Sequence, residues 1–315
     1  MTEGKKRLFT GLQSSGALHI GNYFGALKPF ADACAQLESF LMIADYHSLT
    51  TLKDAAAVRA NTREVVKAYI AAGIDPSEVV MFKQSDVPEH TELAWVLECQ
   101  VTVPFLMQAH AYKDKVAKGL EANAGLFNYP MLMAADILLY DADVVPVGQD
   151  QRQHVEYARE AANKFNNAYG QTFKEPGEKI QEEVAIVPGT DGQKMSKSYK
   201  NTIPLFASEE ETKKAVMGIV TDSSGERPEH VYAIHKLFKS EAELAPLYEA
   251  NKGKYQALKE ALAADINAHL APMRAKYASI TDEEIRKVLA EGATKAKAVA
   301  SKKMEEVRRA VGVSL

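Results

Sequence analysis

RLFTGLQSSGALHIGN, Arg7 to Asn22, carries the first decision about the fold. RLFTGLQ reads as a short strand, and the SSG that follows breaks it. From Tyr23 to Leu37 the apolar spacing turns helical, with Pro29 marking an irregularity. Strand, break and helix make the first half of a βα unit, and the pattern repeats. FLMIADYH is a short continuous apolar run with strand character. Asp54 is placed to N-cap a helix with Val58, Val65, Val66, Tyr69 and Ile70 on its inner side, and Gly73 ends it. VVMFKQS reads as a strand, and PEHTELAWVLECQ as a helix opened by proline. DVVPVG and VAIVPG are strand-like, with the helical QDQRQHVEYAREAANKF between them.

Strands alternating with helices predict a parallel sheet with βαβ crossovers. After about Phe206 the strand signal stops. EEETKKAVMGIV, EHVYAIHKLF, ELAPLYEAN, YQALKEALAADINAHLAPMRAKY and DEEIRKVLAEGATKAKAVASKKMEEVRRAVG all read as helices. The expectation is an α/β fold with an open parallel sheet over 1–206 and a mainly helical domain over 207–315. Ligands of open parallel sheets bind beyond the carboxyl ends of the strands. QSSGALHIGN therefore belongs at the mouth of the site.

Composition narrows the class. The chain has 315 residues, 46% of them apolar and 25% charged, which is ordinary for a globular protein. Its start has basic residues but no apolar run, so it does not read as a secretory signal. No apolar stretch is long enough to span a membrane. Cys34 and Cys99 lie far apart with no Cys or His at ligand spacing. That gives no zinc or iron–sulfur pattern and fits a cytoplasmic location. The net charge is −4, yet Ala271 to Leu315 hold ten Lys/Arg against six Asp/Glu. A polyanion partner would meet local basic patches there, with Lys302 and Lys303 as candidates. The polar faces of amphipathic helices account for the same charges.

TDGQKMSKSYKN, Thr190 to Asn201, places Lys194, Lys197 and Lys200 within seven residues, with no apolar period and Gly192 as a turn signal. It is either a solvated charge run or a clamp for a polyphosphate. In SGALHIGN, Gly16 and Gly21 allow close backbone approach, and a helix starting near Asn22 attracts phosphate. His19 and Asn22, three apart, face the same way on a first helical turn. Taken alone, such a turn is as readily explained by capping.

HIGN after the first strand and KMSKS after the last form a pair that resembles the class I aminoacyl-tRNA synthetases, whose signatures are HIGH and KMSKS. KMSKS is complete at Lys194 to Ser198. Asn22 in place of the second His is similar to the tryptophan branch of that family. GNYFGALK, GIDP, PMLMAADILLYDADVVPVGQDQRQHVE and the C-terminal EGATKAKAVASKKMEEVRRAVG resemble the same branch, so the likeness runs along nearly the whole chain.

The resemblance implies a Rossmann-like nucleotide-binding catalytic domain and a helical anticodon-binding domain, whose last helix is a candidate to pack back on the first. It implies ATP with Mg2+, L-tryptophan and tRNA(Trp) as substrates, and a homodimer. In the first half-reaction an amino-acid carboxylate attacks the α-phosphate of ATP, so positioning and electrostatics carry the rate. The catalytic candidates are His19, Lys194, Lys197 and Ser196. Gln13, Ser14, Ser15, Gly21, Asn22, Gly148, Gln149, Asp150, Ile186, Met195 and Ser198 join the lysines on the ATP side. Asp150 also reads as a helix cap, and Gln149 as a plain strand terminus. Lys115 in YKDKVAKG is a phosphate contact or a solvated helix charge.

Asp136 lies within the apolar run NYPMLMAADILLYDAD. A buried carboxylate is costly without a donor, and indole N–H is donor only. The alternative is a cap or a solvent-facing edge. Met133, Tyr129, Phe9, Val145 and Val147 would wall an indole pocket, with Gln151 reaching the amino acid. His47, at a strand end, is a pocket residue or a core histidine. The tyrosine branch pairs its pocket Asp with a Gln on the same helix, whereas MLMAAD offers Met and Ala. A small-molecule nucleotidyltransferase of the superfamily would usually lack the long helical segment. A non-catalytic relative need not keep His19, Lys194, Lys197 and Asp136.

Overall fold

The structure is a computed structural model describing residues 5–12, 18–34, 37–119, 121–147, 152–180, 187–221 and 227–314. Strand β1 (Arg7–Leu12) leads to helix α1 (Ile20–Asn22), a π-helical turn (Tyr23–Leu27) and α2 (Lys28–Cys34). Pro29 explains the turn: it has no N–H and its ring crowds the preceding carbonyls, so pairing shifts to Lys28 N–H on Tyr23 O. Next come β2 (Glu38–Ile43), α3 (Asp45–Ser48), α4 (Ala55–Ala71), β3 (Val79–Lys83), α5 (Glu89–Glu98), α6 (Val103–Leu106) and α7 (His110–Ala117). Asp54 Oδ1 accepts from Ala56 and Ala57 N–H at 2.8 and 3.3 Å, capping α4, and Gly73 follows it at φ 107°. Helix α8 (Ala124–Leu138), β4 (Val145–Val147), α9 (Arg152–Tyr169) and β5 (Glu178–Ile180) complete the α/β part.

β1, β2 and β3 are parallel in the order β1-β2-β3, and β4 pairs parallel with β5. Phe9 N–H donates to Val144 O at 3.0 Å, and a parallel bridge joins Leu8 to Val144. The strands therefore run β3-β2-β1-β4-β5, and the order reverses between β1 and β4. VAIVPG does not read out as expected in its described part. Val187–Gly189 makes only a bridge, Pro188 to Lys194, and its earlier residues lie outside the described ones. β5 forms instead from EKI, a polar-flanked segment with no strand pattern.

The side-chain period of two sorts the strands' residues to opposite faces. Leu8, Leu41, Ile43, Val79 and Met81 enter one buried cluster, with residues of α4 and the C-terminal helices. Phe9, Phe40, Met42 and Phe82 enter the other, with α8 and α9.

Beyond Phe206 the described chain is helical: α10 (Glu209–Met217), α11 (Glu229–His235), α12 (Glu241–Ala250), α13 (Tyr255–Ser279) and α14 (Asp282–Val311). The apolar core does not divide where the strands stop. Val216, Ile234, Leu262 and Ile266 bury with the sheet, while Leu244, Tyr248 and Leu258 form a small separate cluster.

Helix α14 covers the open edge at β3. Its Ile285 and Leu289 bury on one face of the sheet, and Ala296, Ala300, Met304 and Val307 on the other. Gly292 sits at the crossing, where an added Cβ would stand 1.8 Å from Met81 O. Gly292→Ala is therefore expected to destabilise the fold by roughly 1–3 kcal/mol. Helix propensity alone would favour Ala by about 1 kcal/mol. Denaturant midpoints read the sign.

The basic C-terminal stretch is partly structural. Lys303 is buried and donates to Thr172 O at 3.0 Å, Glu306 at 2.9 Å and Asp141 at 3.1 Å. The expectation that Lys303 faces a polyanion is overturned: its ammonium is taken up within the chain. Lys302 remains exposed.

Candidate active site

The two motifs meet through backbone pairing. Ile20 N–H donates to Ile203 O at 3.0 Å and Leu205 N–H to Leu18 O at 2.9 Å, so the segment after KMSKS lies along the start of HIGN. Met195 then abuts Gly21. A Cβ on Gly21 would stand 2.9 Å from His19 Nδ1 and 3.3 Å from Met195 Cβ, which is why this position lacks one.

His19 and Asn22 form a reciprocal cap. His19 Nδ1 accepts from Asn22 N–H at 3.3 Å, and Asn22 Oδ1 accepts from His19 N–H at 3.1 Å. An accepting Nδ1 puts the ring proton on Nε2. Burial, then the positive charge of Lys197, lowers the imidazole to about 4. At pH 7 the ring is neutral and still offers a donor, which suits an anion that changes charge during reaction.

The KMSKS loop is organised by Asn201, which is buried. Its Oδ1 accepts from Ser196 N–H at 2.7 Å. Its Nδ2 donates to Asp191 Oδ1 at 2.7 Å and to Lys194 O at 3.2 Å. Met195 is buried, with its N–H on Val187 O at 2.8 Å. Between these anchors Lys194 and Lys197 are exposed. Gly192 adopts φ 82°, and a Cβ there would meet the His230 ring at 2.3 Å.

A second cluster follows the ends of β2 and β3. Tyr129, Met133 and Asp136 share one face of α8 by their spacing. Asp136 is 2% exposed and its carboxylate is fully engaged. Oδ1 accepts from Gln84 Nε2 at 2.8 Å and His90 Nδ1 at 2.6 Å. Oδ2 accepts from His47 Nε2 at 2.8 Å and Gln84 Nε2 at 3.0 Å. His90 Nε2 lies 3.0 Å from the hydroxyl of the fully buried Tyr140. Burial pushes the Tyr140 phenol well above 10, so it stays protonated. Burial alone would raise the Asp136 carboxyl, but the hydrogen bonds from His47 and His90 outweigh it and hold the group at about 2. Asp45 ties the same two strand ends together, accepting from Ser85 N–H at 3.0 Å and from its hydroxyl at 2.5 Å.

Phe9 and Val145 are buried in the core beside this cluster, and Phe9 stacks on Tyr140 at 5.2 Å. Tyr129 packs edge-on to His47 at 6.2 Å, and its hydroxyl lies 2.5 Å from His154 Nε2. Lys115 sits half-buried on α7. Gln13, Ser14, Ser15, Gly148, Gln149, Asp150, Gln151 and Ile186 lie outside the described residues, as do the side chains of Val147 and Ser198. Gln84, His90 and Tyr140 were not singled out from sequence. Gln84 directly follows a strand in VVMFKQS, and that position was the available clue.

Over residues 1–290 the chain matches the family described as tRNA synthetases class I (W and Y). The tryptophan–tRNA ligase of Fusobacterium nucleatum is 46% identical, covering 98% of each chain. That of Campylobacter jejuni strain RM1221 is 46% identical over 98% of this chain and 100% of its own. The solved tryptophanyl-tRNA synthetase of Campylobacter jejuni complexed with ADP and tryptophan superposes with a TM-score of 0.93 at 45% identity, covering 97% and 99% of the two chains.

The chain belongs to the class I tRNA synthetases of the tryptophan and tyrosine family. Within it, the near full-length identities fall on the tryptophan branch.

Proposed function

We propose that this chain activates L-tryptophan with ATP, forming tryptophanyl-adenylate and pyrophosphate, and transfers tryptophan to the 3′-terminal ribose of tRNA(Trp). The observation that carries the reading is the contact of Met195 on Gly21, with Lys197 close enough to depress His19. It joins HIGN and KMSKS into one cationic, donor-rich face. His19 Nε2–H meets the phosphates, and Lys194 and Lys197 meet the charge that builds on the departing pyrophosphate. Gly21 and Asn22 underlie the nucleotide, and Ser196, with its N–H fixed by Asn201, keeps the loop's register. Mg2+ enters with ATP as part of the substrate, carried mainly by phosphate oxygens. Asp136 receives the indole N–H, with Met133 and Tyr129 along the ring.

ATP–pyrophosphate exchange with each of the twenty amino acids tests the reading. Exchange is expected with L-tryptophan and hardly at all with tyrosine. Equal exchange with tyrosine refutes the assignment.

The helical segment contacts the anticodon arm of tRNA, and two copies of the chain act together in the cytoplasm. The basic balance of the C-terminal stretch supports the first reading, and unpaired Cys34 and Cys99 fit the last. Affinity for tRNA is expected to fall as salt rises, since phosphate contacts release counterions. Lys302→Ala, made alone because Lys303 is structural, should reduce the salt slope. An unchanged slope removes Lys302 from the interface.

A further inference from the structure

The Asp136 carboxylate has about four acceptor directions, and three donor groups cover them through four contacts, Gln84 Nε2 lying across both oxygens while His90 meets Oδ1 and His47 meets Oδ2. No acceptor direction is left for a ligand's N–H. Any donor that Asp136 reads must therefore displace one the protein supplies. The three candidates differ sharply in what their release would leave behind. His90 is fully buried and held at both ends, by Asp136 and by Tyr140, so moving it strands the Tyr140 hydroxyl as well. Gln84 is fully buried, and its Oε1 already has no hydrogen-bond partner. Releasing its amide would leave a second buried polar group unpaired. His47 is 14% exposed, and its ring has a single hydrogen bond among the described residues. It stands on the short helix α3 beside Tyr129, and its freed Nε2–H can take a partner in water.

We infer that His47 is a displaceable stand-in for the substrate: in the free enzyme it donates to Asp136 Oδ2, and indole N–H takes that oxygen from it on binding. Gln84 and His90 remain as fixed brackets that keep the carboxylate ionised and aimed. His47 is thus a specificity-setting residue. A ligand without an N–H must either leave the His47 bond in place or leave Oδ2 bare, while a ligand with one exchanges bond for bond. The exchange lowers the net gain from the indole N–H, because each new hydrogen bond costs an old one.

This inference rests on the reading of Asp136 as the indole acceptor, and the test separates the two. Dissociation constants are measured by calorimetry for L-tryptophan and for its analogue in which sulfur replaces the ring N–H, L-β-(1-benzothien-3-yl)alanine. The full-length wild type, His47→Ala and His47→Gln are compared, with folding checked by thermal melts. Wild type should prefer tryptophan. His47→Ala removes the competitor, so the preference should widen by roughly tenfold. His47→Gln restores a donor and should return the preference towards the wild-type ratio. If wild type binds both ligands equally, Asp136 is not the indole reader and both proposals fall. If wild type discriminates but His47→Ala weakens both ligands alike, His47 is only a wall of the pocket. A narrowed preference in His47→Ala would mean that His47 assists the indole, and would equally overturn the exchange.

Discussion

Asp136→Asn is expected to require at least about tenfold more tryptophan in the exchange reaction and to narrow the preference for tryptophan over phenylalanine. A hydrogen bond to a charged acceptor is worth about 1.5–3 kcal/mol, against about 1 for a neutral pair. Each 1.4 kcal/mol corresponds to about tenfold. Phenylalanine has no ring N–H, so it gains nothing from the carboxylate and should change less. ATP dependence should stay nearly constant, because His19 and the lysines belong to the HIGN and KMSKS pair and not to the Asp136 cluster. The substitution also has a structural cost that tertiary contacts reveal. Asn keeps one acceptor oxygen and turns an NH2 towards donors that formerly met the second. One or two buried donors lose their partner, at roughly 2–4 kcal/mol in total. Denaturant midpoints should show this at neutral pH. The wild-type carboxyl lies at about 2, below its ordinary 3.8. Its stabilising contribution is therefore fully present above about pH 4 and fades as pH falls towards 2. A stability loss with an unchanged tryptophan-to-phenylalanine ratio would make Asp136 a purely structural anchor.

Lys194→Ala and Lys197→Ala are expected to slow adenylate formation by roughly 10²–10³-fold each, with little change in tryptophan affinity. Loss of one preorganised donor to developing charge has an effect of that order in other enzymes. Both side chains are exposed in a loop whose backbone is held by Asn201 and Met195, so the anchors of the loop remain in either variant. Lys197→Ala has a second expected effect. It removes a positive charge that helps depress the His19 imidazole, so the pKa of His19 should rise from about 4, while burial keeps it below its ordinary 6.5. Single-turnover rates read the first effect and NMR titration of His19 reads the second. A normal single-turnover rate with weakened tryptophan binding would overturn the assignment of these lysines to the leaving pyrophosphate.

Much of this protein is legible one segment at a time. Strand and helix periods, the Asp54 cap, the Pro29 irregularity and the change to helices near Phe206 are local properties, set by neighbours within a few residues. HIGN and KMSKS are local too, because each is a short segment whose residue types suit phosphate. Their order along the chain, with the apolar run around Asp136 between them, resembles the family's without reference to any tertiary contact. Tertiary structure decided the rest, since distant residues share a site only once the sheet is assembled. The donors of Asp136 come from His47, Gln84 and His90, which lie 89, 52 and 46 residues away. No spacing rule links them; they converge because β2 and β3 end side by side. Gly292 reads as a weak point in a helix until the helix crosses the backbone of β3. Lys303 reads as a free surface charge until Asp141 and Thr172, far back in the chain, close around it. EKI becomes a strand because β4 offers it an edge, and backbone pairing there overrides a segment with no strand preference of its own.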